Sequence, residues 1–440
     1  MKIGFIIQRY GGDVLGGSEQ LCRLVAERLS ATHDVDVLTT CARDYITWKN
    51  EYPEGIDRVC GVTVRRFANA QTRDLESFNR YSDWIYNNPH TRQDEVEWLK
   101  QQGPWCPALI DYLKRNHQQY DVMVFFTYLY ATTVMGLDVN PGRSIVVPTA
   151  HDEPAIKLEI FRDVFNNAAA LCYLTDAERQ FVQRAFPDRP LLEEVIGVGI
   201  DLPHQQPYPR MPLPPGEEPV IGDQSLPLTV QEAADAQAQA RDDDEPAQSF
   251  PSHLTARGSV FRRRHRIHGS FALYGGRIDP GKGCEELLDY FGSYVKHGGD
   301  ATLALMGVKL MSLPSEPYVR FAGLLAENER VQALEAADVV ICPSPYESLS
   351  LLALEAMAVG TPVLVNGRSA VLVEHCVRSN GGLWYEDRDE FVECLTRLVA
   401  DPGLRRALGR NGRDYVRANY RWDVVLGKYE RMFTKVRNAR

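Results

Sequence analysis

At 440 residues, with 44% apolar and 25% charged positions, the chain is too long for one ordinary core and has the composition of a globular protein of two domains or three. A formal net charge of -10 argues against general nucleic-acid binding and leaves only a local basic groove open. The first residues, Met1 to Gln8, are too short for a signal peptide's apolar region, and no apolar run approaches bilayer-spanning length. A cytoplasmic protein is expected, with peripheral contact at the inner face of a membrane left open.

The nine cysteines are scattered, without a C-x-x-C pair, so neither a disulfide framework nor a zinc site is expected. Most should be small buried hydrophobes.

Lys2 to Gln8 is strand-like and runs through Gly11-Gly12 and Gly16-Gly17-Ser18-Glu19 into a helix in which Leu21, Leu24, Val25 and Leu29 recur at helical spacing. A strand, a glycine-rich loop and a helix make an anion cradle at the edge of a parallel sheet, or simply a tight turn. The loop is neither a Walker loop nor G-x-G-x-x-G.

Val35 to Thr39 and Val62 to Phe67 read as the next strands. From Arg73 to Gln118, Phe78, Tyr81, Trp84, Tyr86, Trp98 and Trp105 stand among arginines. They read as packed faces of connecting helices in preference to an acceptor groove or a membrane contact.

Asp121 to Phe126 and Ser144 to Thr149 resume the strand pattern, and the second delivers His151, Asp152 and Glu153 to a strand's carboxyl end, where open α/β sheets bind ligands. Three adjacent side chains rarely converge on one ion, so a metal is not expected there. His151 could donate to a substrate hydroxyl or phosphate, or cap a turn. Ala168 to Leu174 is another strand, and Thr175 with Glu178 forms a capping-box pattern.

From Pro203 to about Ser259 periodicity collapses among prolines, an alanine- and glutamine-rich run and Asp242-Asp243-Asp244-Glu245, which reads as a largely disordered insertion. Arg262 to Arg266 follows as the solvated face of a helix entering the next domain, in preference to a polyanion site.

A second series opens with Phe271 to Gly275, then Gly276-Arg277 and Lys282-Gly283. Arg277 as a fork and Lys282 as a point charge suit a diphosphate. Strands over Thr302 to Met306, Val319 to Ala322, Val339 to Cys342, Pro362 to Val365 and Gly382 to Trp384 follow, with Leu324 where backbone groups could read a base. A final amphipathic helix is expected over Trp422 to Thr434.

The most informative stretch is the run after the Val339 to Cys342 strand, from Ser344 through Glu347, Ser348, Leu349, Ser350 and Glu355 to Gly360. Its helix, expected to begin directly after Glu347, would aim the N–H groups of Ser348, Leu349 and Ser350 at a phosphate. A rise of ~1.5 Å per residue would put Glu355 roughly 9 Å from the helix mouth, so that Glu347 could reach sugar hydroxyls and Glu355 ribose hydroxyls. Ordinary helix-start charges are the bland alternative.

These motifs together resemble the retaining nucleotide-sugar glycosyltransferases of the GT-B fold, specifically glycosyltransferase family four: Glu347 to Glu355 matches its E-x7-E, beside Gly276-Arg277 with Lys282-Gly283 and Gly16-Gly17-Ser18-Glu19. The resemblance implies an α/β chain of two doubly wound Rossmann-like domains facing a central cleft. The expected divisions are 1–202 on the acceptor side, an insertion over 203–259, a nucleotide-sugar domain over 260–418, and a crossing helix over 419–440.

It also implies that Arg277 and Lys282 bind the donor diphosphate, Glu355 the ribose and Glu347 the donor sugar. Gly16 and Gly17 would approach diphosphate or sugar through backbone, and His151 matches the family's donor-sugar histidine. His151 and Glu347 are thus the catalytic candidates, and Ser348, Leu349, Ser350 and Leu324 complete the binding set. Ser348 and Ser350 stand where many members have glycine, which leaves the sugar unassigned.

The expected reaction is metal-independent front-face transfer with retention, from a nucleotide-diphosphate sugar to an unidentified hydroxyl acceptor, with no cofactor. A sugar-nucleotide epimerase of similar fold, or a non-catalytic sugar-nucleotide-binding protein, is the alternative.

Overall fold

A computed structural model describes residues 1–14, 16–190, 192–201 and 256–439. The described residues up to 201, together with 419–439, form one compact unit, and those from 256 to 418 form a second.

The first unit runs β1 (Lys2–Ile6), α1 (Gly17–Leu29), β2 (Asp34–Thr40), β3 (Gly55–Val59), β4 (Val62–Phe67), α2 (Leu75–Asn87), α3 (Arg92–Gln102) and α4 (Pro107–Asn116). It continues with β5 (Val122–Phe126), α5 (Ala131–Leu137), β6 (Ser144–Val147), α6 (Ile160–Asn167), β7 (Ala170–Tyr173), α7 (Asp176–Ala185) and β8 (Glu193–Val195). The strands form one sheet in the order β3-β4-β2-β1-β5-β6-β7-β8. Pairing is parallel except at β3, an antiparallel edge strand not foreseen from sequence.

Strand β5, Val-Met-Val-Phe-Phe, is buried along its whole length, as a central parallel strand covered on both faces must be. Strand β4 nearer the edge alternates buried and half-buried positions. The chain winds away from β1 in both directions, so β1 and β5 flank a topological switch point, where ligands bind outside the carboxyl ends.

The aromatic stretch is helical and packed inward. Asp74 caps α2 by accepting from Ser77 N–H, and Thr91 with Asp94 makes a reciprocal capping box on α3. Trp98 is buried in the core with Phe78, Tyr81, Tyr86 and Trp105 against it, while Trp84 is partly exposed.

The second unit contains α8 (Ala256–Arg264), β9 (Phe271–Gly275), α9 (Cys284–Lys296), β10 (Thr302–Met306), β11 (Val319–Gly323), α10 (Glu327–Ala336) and β12 (Val339–Cys342). After these come α11 (Leu351–Val359), β13 (Val363–Asn366), α12 (Ala370–Ser379), β14 (Gly382–Tyr385), α13 (Arg388–Ala400) and α14 (Pro402–Asn419). Its sheet is parallel, in the order β11-β10-β9-β12-β13-β14, with Ala272 paired to Val339 and Leu273 to Val340. The switch point falls between β9 and β12, the two strands that carry the charged loops.

Finally α15 (Trp422–Asn438) belongs to the first unit and extends one turn beyond the expected Thr434. Lys428 Nζ donates to the Val195 carbonyl at 2.9 Å, and Ile200 N–H to the Tyr420 carbonyl at 2.7 Å. The Arg28 guanidinium lies 3.8 Å from the Trp422 ring centroid while pairing with Asp201 at 2.6 Å. A Cβ on Gly199 would stand 2.1 Å from that indole, so the ring requires glycine there.

One expectation needs correction at the entry to the second unit. Arg262 does not lie on a solvated face: it is buried, paired with Asp338 at 3.1 Å and donating to the Ala336 carbonyl at 2.8 Å. Arg405 reaches the same carboxylate at 3.2 Å, so one buried carboxylate serves two guanidinium groups, which also donate to backbone carbonyls at Ala336, Leu398 and Val399. The insertion expected over 203–259 lies outside the described residues except 256–259, which are helical in α8.

Seven of the nine cysteines are buried thiols, with Cys60 exposed and Cys394 half-buried. Among the described residues no helix is long and apolar enough to cross a membrane.

Candidate functional site

In the second unit the site is built from the loops after β9 and β12. Gly276, at φ 141°, turns the chain out of β9, and Tyr274 donates its hydroxyl proton to the Arg277 carbonyl at 2.5 Å. Asp279 accepts from Lys282 N–H at 3.0 Å and holds Arg277 Nε at 3.3 Å, which orders the turn carrying both cations. Gly283 then enters α9 at φ 75°, and a Cβ on it would stand 2.3 Å from the Pro343 carbonyl oxygen. That close approach presses the Lys282 turn against the end of β12.

The facing loop is held at several points. Asn366 donates to the Pro343 carbonyl at 2.9 Å, and Ser344 Oγ to the Tyr346 carbonyl at 2.9 Å. Glu347 Oε1 accepts from Lys282 Nζ at 2.8 Å. Two sequence candidates 65 residues apart are thus one ion pair.

The helix start differs from expectation. It begins at Leu351, so Ser348, Leu349 and Ser350 precede it, and Ser350 is its N-cap at φ 65°, ψ 85°. A side chain in this left-handed region costs about 1–2 kcal/mol, and β-branched or bulky residues avoid it. The open N–H groups are therefore those of the turn from Leu351, with no side-chain cap over them. The later start shortens the separation between helix mouth and Glu355 to about 6 Å along the axis. Gly360 ends the helix at φ 85°, as read from sequence.

Glu355 pairs with Arg330 of α10 at 3.0 Å and is mostly covered. Leu349 is buried, whereas Leu324 is 68% exposed at the end of β11, two strands from β9. Sequence reasoning missed Arg330, Asn366 and above all His375. Buried on α12, His375 donates from Nε2 to the Leu349 carbonyl at 2.7 Å, and its Nδ1 faces the Tyr415 hydroxyl at 3.2 Å. No spacing rule flags a histidine whose partners lie 26 residues before it and 40 after.

In the first unit, Gly16 and Gly17 differ in what requires them. A Cβ on Gly16 would lie 2.1 Å from Glu19 Oε2 and 3.1 Å from Arg9 Nη2. Glu19 is buried and takes Arg9 at 2.6 Å and Gln8 at 2.9 Å, so an ion pair fixes the loop. Gly17 is exposed at the first position of α1, and a Cβ there would meet nothing within 4 Å.

His151 sits after β6, on the far side of β5 from the β1 loop, about 10 Å away by strand spacing. Its Nε2 is 3.7 Å from Glu153 Oε1, which accepts the Tyr128 hydroxyl proton at 2.5 Å. Thr175 caps α7 as read from sequence, but the Glu178 carboxylate does more, accepting from Ala150 N–H and Leu174 N–H at 2.6 Å each. Complete burial pushes its pKa up to about 8 against these backbone donors. Glu178 thus anchors the residue next to His151.

Residues 270–401 match the family described as glycosyl transferases group 1. An uncharacterized glycosyltransferase of Methanocaldococcus jannaschii is 30% identical over 165 residues, covering 35% of this chain and 42% of that one. A GDP-mannose-dependent monoacylated alpha-(1-6)-phosphatidylinositol monomannoside mannosyltransferase of Corynebacterium glutamicum is also 30% identical over 165 residues, covering 34% and 43%. The matched stretch therefore spans less than half the length of either relative.

Among solved structures, sucrose-phosphate synthase from Thermosynechococcus elongatus superposes with a TM-score of 0.64 at 19% identity, over 99% of this chain and 98% of that one. HepE of Anabaena, in complex with UDP-glucose, gives 0.64 at 16% identity, over 99% and 100%. The chain has the GT-B fold, and within its second unit residues 270–401 match the glycosyl transferases group 1 family.

Proposed function

We propose that the protein is a retaining glycosyltransferase that moves a hexose from a nucleotide-diphosphate sugar to a hydroxyl acceptor. The observation that carries this reading is the Lys282–Glu347 ion pair at the β9/β12 switch point, which joins the loop that also carries Arg277 to the loop leading into the uncapped start of α11. A nucleoside-diphosphate hexose is the ligand class named for two similar proteins, GDP-mannose in the mannosyltransferase and UDP-glucose in the HepE complex.

In this reading Arg277 and Lys282 neutralise the diphosphate, and the N–H groups of α11 add a positive dipole end. An ammonium has three protons, so Lys282 keeps Glu347 in place while donating to a phosphate oxygen. Glu347 accepts from sugar hydroxyls and Glu355, oriented by Arg330, from the ribose. Leu324 lies toward the base, Gly16 and Gly17 meet the donor through backbone, and His151 donates to the sugar near the reacting carbon.

Transfer breaks the bond between the anomeric carbon and the diphosphate oxygen and forms one from that carbon to the acceptor oxygen. The acceptor proton passes to the departing phosphate oxygen on the same face, which retains configuration. The cations supply the leaving-group stabilisation without a metal. The Arg277→Ala/Lys282→Ala double variant tests the reading: donor hydrolysis and transfer should vanish while circular dichroism stays native, and undiminished turnover would overturn it.

A further inference from the structure

The turn that opens α11 carries an unexplained strain. Ser350 sits at φ 65° although it is not glycine, and rotating the Leu349–Ser350 peptide by half a turn would carry its φ to about -115°, an ordinary value. Something must hold the costlier arrangement.

His375 is the group in position to do so. Its imidazole is buried, and an N–H at Nε2 meets the Leu349 carbonyl at 2.7 Å. The Tyr415 hydroxyl, 3.2 Å from Nδ1, donates to that nitrogen and so keeps the proton on Nε2. Burial holds the imidazole below its ordinary pKa, which keeps it neutral with one donor and one acceptor nitrogen. A rotated peptide would turn the Ser350 N–H toward the Nε2–H, donor against donor, in a buried site.

We propose that His375, with Tyr415 behind it, is a positioning residue of the sugar-nucleotide site: by holding the Leu349 carbonyl it presents the Ser350 N–H, rather than a carbonyl oxygen, beside the uncapped start of α11. In a planar trans peptide the N–H points opposite to the carbonyl, so fixing one fixes the other. A carbonyl lone pair at that place would repel a diphosphate, and the N–H attracts it. The inference rests on the glycosyltransferase reading for its ligand and on the structure alone for its geometry.

The two parts are tested separately. In the free protein, nitrogen-resolved NMR of the imidazole should find the His375 proton on Nε2 at neutral pH, and a proton on Nδ1 would overturn the proposal whatever the activity. In kinetics, His375→Leu should raise the KM for the sugar nucleotide by about tenfold with a smaller change in kcat, and Tyr415→Phe by about threefold. His375→Gln, whose amide supplies an N–H near the same point, should recover most of the loss.

A loss of kcat with KM unchanged, not recovered by glutamine, would mean only fewer folded molecules and would sink the positioning role. If the wild-type chain turns over no sugar nucleotide, the parent reading fails, and the imidazole proton still decides the geometry.

Discussion

Lys282 Nζ and Glu347 Oε1 lie 2.8 Å apart, joining the loop after β9 to the loop after β12 across the switch point of the second sheet. Both side chains retain some solvent contact, so the pair adds only about 0–1 kcal/mol to stability. Its value lies in orientation.

Lys282→Ala and Glu347→Gln should therefore leave the melting temperature nearly unchanged while each lowers kcat/KM for the sugar nucleotide by about 10²–10³. Thermal melts alongside steady-state kinetics check this. A large fall in melting temperature at constant activity would assign the pair to folding.

Gly17 has open space where a Cβ would go, and no neighbouring side chain demands glycine. Gly17→Ala should hold stability or raise it by up to ~1 kcal/mol, because alanine is the better helix former. Its kcat/KM for the sugar nucleotide should nevertheless fall at least about tenfold, since the added methyl blocks backbone approach to the ligand. Full activity would show that no ligand passes there.

Gly283 contrasts with it. Alanine at φ 75° with a Cβ 2.3 Å from the Pro343 carbonyl oxygen must push the two charged loops apart. Gly283→Ala should cost about 2–4 kcal/mol in denaturant unfolding and also weaken sugar-nucleotide binding. A variant as stable as wild type would mean that the approach of the loops is not constrained there.

The Glu178 carboxyl titrates at about 8 in the fold, above its ordinary 4.5, because it is buried. Between these values the native state holds a proton that the unfolded chain has released. Its contribution to stability is thus fully present below 4.5 and is lost as pH rises through about 8. Glu178→Gln should remove that component of the pH dependence. It should also cost about 1–3 kcal/mol, because its amide group would face one of the backbone N–H groups of Ala150 and Leu174. Parallel pH–stability curves for wild type and variant would contradict the assignment.

Much of this was legible in the sequence because it depends on short-range pattern. The continuous apolar runs of β5 and β12 announce buried parallel strands, Gly360 announces a helix stop, and Arg277, Lys282 and Glu347 stand in the loops that leave strand ends. The start of α11 was misplaced because Ser348 and Ser350 suit a helix entrance by composition. Only the left-handed Ser350 reveals that the helix waits until Leu351.

Long-range partnerships left no such trace. Arg262 lies in an arginine run that resembles a surface, yet a carboxylate 76 residues away makes it a core residue. His375 reads as one polar residue in an amphipathic helix, and its meaning appears only when the fold sets it under the Leu349 carbonyl. Glu178 was recognised as part of a cap, but its second oxygen reaches Ala150, which a local motif does not encode.

The most direct measurement is turnover of the full chain with UDP-glucose, GDP-mannose and related sugar nucleotides, with and without EDTA, following nucleoside-diphosphate release and the anomer of the sugar product before mutarotation. Release that survives EDTA, is lost in the Arg277→Ala/Lys282→Ala variant and yields an α product from an α donor is the predicted result. No release from any sugar nucleotide, or a β product, would contradict the account.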